Sequence, residues 1–200
     1  MEDRVIYGDK LKSMIREMLA QYNRKNHDYG NSFEESLNED GLIAAKVRIG
    51  DKIRRFHTLM NKHSKVLDES ILDTLKDLAT YCEMAIMWNT KEKDIHYLFN
   101  QLADYAAVTY SSDDSFNYYL YSMEYNYRWI GQYIKNGDEN QVINNYFFRL
   151  AKLAVCVAYK LSVDAIVPKK KEKPEKYVHV DVRELSDALF KRLVEKLVLK

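Results

Sequence analysis

Three carboxylates recur at steps of four along one segment of the chain, at Glu69, Asp73 and Asp77. Residues four apart lie on one face of a helix, where like charges repel by about 0.2–0.5 kcal/mol per pair. A bound divalent cation would remove this repulsion, and hard carboxylate oxygens suit Mg²⁺ or Mn²⁺. The spacing therefore predicts a metal site, although an ordinary solvated helix face explains the same pattern.

A second polar segment precedes the acidic one and is mainly basic. Its charged residues stand at steps of three and four and so share a helix face. Guanidinium and ammonium groups on such a face suit phosphate. The single acid would either join the carboxylates at a metal or pair with a neighbouring arginine on the helix surface. The residues of this segment are Arg48, Asp51, Lys52 and Arg55.

A compact polar turn stands before both segments, around Gly30. Tyr29 could stack on a base there, and Asn31 or Ser32 could form hydrogen bonds with a base or a sugar. Glycine turns between helices are also common without any such role. The turn is not a phosphate-binding P-loop, because the chain contains no Gly-x4-Gly-Lys-Ser/Thr sequence.

The composition excludes several classes of protein. The 200 residues carry a formal charge of +1, which argues against a general polyanion binder. With 6 glycines and 2 prolines there are few turns for a β-sandwich or barrel. Two cysteines form neither a disulfide framework nor a zinc set. No apolar run is long enough to span a membrane, and the first residues do not resemble a signal peptide, so we expect a cytoplasmic protein.

Apolar residues recur at helical spacing along most of the chain, which predicts an all-α bundle. Helices are expected over about 10–26, 41–61, 68–88, 95–108, 114–135 and 140–163, with Thr90 as a capping residue and a polar turn at 28–32. The organisation that follows is a helical unit at 1–90 and a second unit of the same bundle at 91–166. A charged linker at 167–176 and a C-terminal appendage at 177–200, a short strand and an amphipathic helix, complete the chain. That helix needs a partner surface, so we expect a homo-oligomer, although the chain's own bundle could equally supply that surface.

The two units contain similar short sequences in the same order. The distance between matching positions shrinks from 83 to 81 to 75 residues, as it would if loops had shortened after a duplication. Chance similarity between helices of like composition explains the matches equally well. The pairs are Ser32–Phe33 with Ser115–Phe116, Arg48–Arg54 with Trp129–Lys135, and Leu75–Ala79 with Leu150–Ala154.

Several spaced motifs over about residues 10–88 resemble the nucleotide modification associated domain 1 family of phages and bacteria. They follow one another in the order that the family shows. The motifs are Lys25, Asp28-Tyr29-Gly30, Ser32, Asp40-Gly41, the basic segment from Arg48 to Arg55, and the acidic segment from Asp68 to Tyr81.

A broader similarity is to the all-helical nucleotide pyrophosphohydrolases of the MazG and dimeric dUTPase type. Those enzymes hold Mg²⁺ between acidic motifs on two helices, and only Asp51 represents the first motif here. The resemblance implies a Mg²⁺-dependent enzyme, with Mn²⁺ as a substitute, that splits a nucleoside triphosphate into a monophosphate and pyrophosphate. Glu69, Asp73 and Asp77 would be the metal ligands, and Asp51 or Glu69 would activate water.

Two other functions fit the same residues. One is a protein that binds a nucleotide or a nucleotide-derived signal without cleaving it, as in phage counter-defence within the host cytoplasm. The other is a structural accessory of a DNA-modification system. A nucleotide or a nucleotide-derived small molecule is the expected partner of the enzyme and of the binding protein. No membrane partner is expected, and the sequence has no strong nucleic-acid signal. The expected substrate-binding residues are Lys25, Asp28, Tyr29, Asn31, Ser32, Arg48, Lys52 and Arg55.

Overall fold

The computed structural model describes residues 2–61 and 69–166, and all regular structure in this part of the chain is α-helical. The predicted all-α fold is therefore confirmed. The helices are α1 (Glu2–Tyr29), α2 (Ser32–Asp40), α3 (Leu42–Asn61), α4 (Glu69–Thr90), α5 (Ile95–Thr109), α6 (Phe116–Asn136) and α7 (Asn140–Ile166).

Two local predictions are wrong. The expected turn at 28–32 is shorter, because α1 continues to Tyr29 and α2 begins at Ser32, which leaves Gly30 and Asn31 between them. Thr90 is not the cap of the next helix but the last residue of α4, where its hydroxyl donates to the Ile86 carbonyl. The cap of α5 is Asp94, whose side chain accepts from the backbone N–H of His96.

Gly41 separates α2 from α3. Its φ of +64° lies in the left-handed region, which a residue with a Cβ adopts only with strain. Its N–H donates to the Leu37 carbonyl at 2.9 Å and so closes the last turn of α2. The chain can therefore change direction here and send α3 towards the centre of the bundle.

The centre of the bundle is formed by α4 and α7, which pack more extensively against each other than any other pair of described helices. α3 covers α4, α6 covers α7, and α1 packs against α5. Both helices are apolar and almost fully buried along their middle parts, including Leu75, Leu78 and Ala79 on α4 and Leu150, Leu153 and Ala154 on α7. The helix that carries the candidate carboxylates is therefore held rigidly by the core.

No described helix is both long and apolar enough to cross a membrane. The predicted linker at 167–176 and the predicted C-terminal strand and helix at 177–200 lie outside the described residues.

Candidate functional site

Asp77, near the middle of α4, is contacted by lysines from two other helices. Lys25 of α1 donates from Nζ to Asp77 Oδ1 at 2.9 Å, and Lys52 of α3 donates from Nζ to Asp77 Oδ2 at 2.7 Å. These three residues are 52 and 25 positions apart in the chain. The packing of α1, α3 and α4 therefore brings two cations to one carboxylate.

The charge of Asp77 is set by two opposing effects. Burial by itself would raise the pKa of the Asp77 carboxyl, but the hydrogen bonds from Lys52 and Lys25 outweigh burial and lower that pKa below its ordinary value. The carboxylate therefore stays ionised at neutral pH. A carboxylate that holds its proton so weakly is a poor general base.

A cavity of about 400 Å³, the first pocket, opens beside this cluster. Ser32 and Phe33 at the start of α2 form one side of it. α1 contributes Met18, Gln21, Tyr22, Lys25 and Asn26 to its lining. α4 contributes Asp77, Thr80, Tyr81 and Met84.

Three aromatic side chains, Tyr22, Phe33 and Tyr81, line the first pocket and form its aromatic wall. The rings of Phe33 and Tyr81 meet edge to face with their centroids 4.9 Å apart. The ammonium group of Lys52 lies 5.8 Å from the centroid of the Tyr81 ring, within the range of a cation–π contact. A flat ring can pack against such a wall while an anionic group reaches the lysines, so the pocket suits a ligand that has both.

Asp51 does not join this cluster. Its Oδ1 accepts from Arg54 Nη2 at 2.6 Å on the exposed side of α3, so its partner is Arg54 and neither Arg48 nor Arg55. Arg48 and Arg55 are exposed as well. The residue of the basic segment that the structure brings to α4 is Lys52.

The described side chains do not form a metal centre. Within 2–61 and 69–166, no three His, Cys, Asp or Glu side chains are arranged to hold a metal ion. Both oxygens of Asp77 already accept from lysines, and Asp73 is half-buried one turn away. Glu69 begins α4, but its side chain lies outside the described residues. A Mg²⁺ site at Glu69, Asp73 and Asp77 therefore stays a prediction, and it would require Asp77 to exchange its lysine partners for the metal.

Of the predicted binding residues in the polar turn, Ser32 lies at the first pocket and Asn31 does not. Ser32 lines the first pocket, whereas Asn31 is exposed and its side chain does not cap α2. Asp28 and Tyr29 belong to the last turn of α1, and their side chains are not among those that the structure describes.

The sequence analysis missed the aromatic wall. Tyr22 stands three residues before Lys25, and Tyr81 stands four residues after Asp77. Each aromatic ring therefore shares a helix face with a charged residue of the cluster. The sequence signal that could have identified these aromatic residues is their spacing of three or four positions from Lys25 and Asp77.

Comparison with known proteins bears on this part of the chain. Residues 25–88 match the family model nucleotide modification associated domain 1. The matched segment, about a third of the chain, runs from Lys25 through Lys52 to Asp77 and ends at Trp88. The matched segment therefore includes all three residues of the charged cluster, and it lacks only the α1 residues that precede Lys25 in the pocket lining. No curated protein and no solved structure matches the chain significantly.

Proposed function

We propose that the first pocket binds a nucleotide, with its phosphate groups at Lys25 and Lys52 and its base against Tyr22, Phe33 and Tyr81. The observation that carries this proposal is the convergence of two ammonium groups on one carboxylate at an aromatic cavity. The description of the matched family supports a nucleotide as the ligand.

The charges of the cluster favour an anionic ligand. Two lysines and one aspartate leave an excess of one positive charge. The side chain of Lys25 is 47% exposed, so a phosphate group can reach its ammonium without opening the core. Lys52 is only 20% exposed, and a charge-assisted hydrogen bond from it is correspondingly less screened by water.

Asp77 has a clear role when no ligand is bound. Its carboxylate keeps the two ammonium groups close together, which their mutual repulsion would otherwise oppose. An incoming phosphate then exchanges with Asp77 as the partner of Lys25, the more exposed lysine. Because both oxygens of Asp77 are engaged by lysines and its pKa is lowered, Asp77 serves here as a fixed charge that positions the two cations, and this favours anion binding over metal-dependent cleavage.

The second candidate is Mg²⁺-dependent hydrolysis of a nucleoside triphosphate to a monophosphate and pyrophosphate. One observation favours it. α4 is continuous from Glu69 through Asp77, so the three predicted metal ligands occupy successive turns of one helix. Homo-oligomerisation through the C-terminal segment remains part of this proposal.

Equilibrium dialysis against a panel of ribo- and deoxynucleoside triphosphates, with EDTA or with Mg²⁺, tests binding. Lys25→Met and Lys52→Met should each weaken binding at least about tenfold, because each removes a charge-assisted hydrogen bond. Lys12→Met is the matched control, since Lys12 also pairs with an aspartate, Asp104 at 2.7 Å, but lies outside the first pocket.

Chromatography of the same mixtures separates the two candidates. Intact nucleotides, bound equally well in EDTA, support the binding protein. Monophosphate and pyrophosphate formed only with Mg²⁺ or Mn²⁺, and lost in Asp73→Asn and Asp77→Asn, support the hydrolase. No binding by the unmodified chain contradicts both and leaves the structural accessory.

A further inference from the structure

α3 and α6 contact each other in a reciprocal way. Gly50 of α3 faces the side chain of Tyr127, and Gly131 of α6 faces the side chain of Lys46. Each glycine thus faces the residue four positions before the other glycine. A two-fold axis that exchanges Gly50 with Gly131 also exchanges Lys46 with Tyr127, so both contacts are explained by one operation.

α4 and α7 obey a similar relation. Asn89, near the end of α4, donates to Asn144, near the start of α7, at 2.8 Å, so the two helices run antiparallel. Asn89 lies ten positions after Ala79, and Asn144 lies ten positions before Ala154. In this antiparallel register Ala79 is level with Ala154, and these two fully buried residues also occupy matching positions in the similar segments Leu75–Ala79 and Leu150–Ala154.

α1 and α5 each line a cavity, and the lining residues of the two helices also correspond in sequence. A second, more open cavity of about 530 Å³, the second pocket, lies beside α5 and α7. Its lining is formed by Gln101, Asp104, Tyr105, Val108 and Phe148. The four α5 residues stand 83 positions after four of the five α1 residues of the first pocket, Met18, Gln21, Tyr22 and Lys25. This is the same offset that relates Ser32–Phe33 to Ser115–Phe116. The fifth α1 residue, Asn26, has no counterpart in the lining of the second pocket.

We propose that α5, α6 and α7 repeat α1, α3 and α4, and that the second pocket is the counterpart of the first and binds a second nucleotide. The inference rests on the proposed function for the chemical class of the ligand. It assigns the base to Tyr105 and Phe148 and the phosphate to Lys152, the residue that corresponds to Asp77 at the offset of 75.

The chemistry of the second pocket fits this assignment. The rings of Tyr105 and Phe148 lie 5.5 Å apart, and the Lys152 ammonium lies 5.6 Å from the centroid of the Tyr105 ring. Tyr105 is 50% exposed, so a flat ring can stack on it. The second pocket therefore has an aromatic surface and a cation close together, as the first pocket has.

The differences from the first pocket predict a weaker site that does no chemistry. Val108 stands where Lys25 would be, and Tyr133 stands where Lys52 would be, so neither lysine of the first cluster is kept and the cation of the second pocket is Lys152. Asp104, the acid in the lining, is held by Lys12 at 2.7 Å. No carboxylate corresponds to Asp77, because Lys152 takes its place. The second pocket is thus expected to bind a nucleotide without cleaving it.

Equilibrium dialysis of the full chain with radiolabelled ATP and dTTP, across a wide concentration range, measures the number of sites. Two sites per chain are expected, the second at least about tenfold weaker. Tyr105→Ala and Lys152→Glu should each remove only the weaker site. The matched control is Tyr97→Ala, since Tyr97 is also 50% exposed on α5 but does not line the second pocket. Lys52→Met should weaken only the stronger site.

The outcomes separate this inference from the proposed function. One site that is lost in Lys52→Met and unchanged in Tyr105→Ala and Lys152→Glu overturns the second site alone. One site with the opposite response supports the second site and overturns the first. Binding that is equally weakened by Tyr97→Ala, or no binding at all, overturns the second site.

Discussion

At the scale of single residues, Asp77 connects three helices through one side chain. Its two oxygens each accept from a different lysine, and its side chain is 27% exposed. Removal of this carboxylate would leave two ammonium groups facing each other without a counter-charge. The cost of that arrangement can be measured separately from any binding function.

We expect Asp77→Asn to lower the free energy of unfolding by about 1–2 kcal/mol at pH 7. The pKa of Asp77 is lower in the folded state than its ordinary value of 3.8, so its stabilising effect is present above that value. The effect is lost as the pH falls through the folded-state pKa. Urea unfolding at pH 7 and pH 3 should therefore show a smaller difference from the unmodified chain at pH 3.

Asp104→Asn is the control for this prediction. It breaks a lysine–aspartate pair of similar length, but Asp104 is 73% exposed, and exposed pairs contribute about 0–1 kcal/mol. Equal losses of stability in Asp77→Asn and Asp104→Asn would contradict a special role for the double pair.

Glu83 of α4 is fully buried, and neither of its carboxyl oxygens has a hydrogen-bond partner among the described residues. Burial raises the pKa of Glu83 well above the ordinary value for a glutamate. A buried polar group without a partner costs free energy that an apolar side chain of similar length would not cost. Glu83 therefore lowers the stability of the core in which it is buried.

We expect Glu83→Met to raise the free energy of unfolding by about 1–3 kcal/mol at pH 7. Because the pKa of Glu83 is higher in the folded state, the unmodified chain loses stability as the pH rises above the unfolded value of about 4.3. The gain from the substitution should therefore be larger at pH 8 than at pH 5 in urea titrations. Glu17→Met, at an exposed position of α1, is the matched control for the replacement of a glutamate by methionine.

At the scale of helices, the α3–α6 contact depends on two glycines that differ in what they face. A Cβ at Gly50 would overlap the ring and hydroxyl of Tyr127, which cannot bend away. A Cβ at Gly131 would approach only the end of the Lys46 side chain, at 2.7 Å from Cε, and that end is flexible. In both contacts a glycine faces a side chain of the other helix, but the Tyr127 ring is rigid and the end of the Lys46 side chain is flexible.

This difference predicts opposite effects of the same substitution. Gly50→Ala should lower the free energy of unfolding by about 1–3 kcal/mol, because the helices must move apart. Gly131→Ala should be neutral or should stabilise by up to about 1 kcal/mol, because alanine favours a helix and Lys46 can turn away. Thermal unfolding of both variants checks this. Gly50→Ala combined with Tyr127→Ala should recover part of the lost stability, and no recovery would contradict the proposed overlap.

At the scale of the whole molecule, the described bundle has a continuous core of its own. Its buried apolar residues extend from Leu11 on α1 to Leu161 on α7. The amphipathic pattern after residue 177 then predicts a separate contact surface, which we assign to association between chains.

We expect a chain that ends after Ile166 to unfold cooperatively and to be monomeric, whereas the full chain forms an oligomer. The reason is that the apolar face of Leu185, Leu189 and Leu193 would be absent. Light scattering after size-exclusion chromatography measures both masses. Equal assembly of the two chains would instead place the contact on the bundle, where Ile43 and Val47 are exposed at 58% and 53%.

Much of the fold follows from local spacing. Leu75, Leu78 and Cys82 recur at three- and four-residue steps, and the helix that they predict is α4 with its apolar face buried. The end of α1 was harder to predict, because Asp28 and Asn31 are turn-forming types and only two residues separate α1 from α2. Helical hydrogen bonds to Tyr29 outweighed the local preference for a turn.

The candidate site could be predicted only in part. Lys25, Lys52 and Asp77 were each expected to bind a ligand or a metal, but their contact with one another was not. Asp51 and Lys52 are adjacent and were placed on one helix face, yet only Lys52 reaches α4. A rotation of about 100° per residue separates their directions, and a pattern within α3 does not specify which direction faces α4.

The sequence by itself determined the helices, because the hydrogen bonds and apolar spacing of a helix involve residues three and four apart. It also determined which charges are available, from Lys25 to Asp77. Only the tertiary structure decided that both lysines meet Asp77 beside an aromatic wall, because that contact joins residues 52 and 25 positions apart. Such contacts depend on how whole helix faces pack, and the spacing within any one helix does not contain that information.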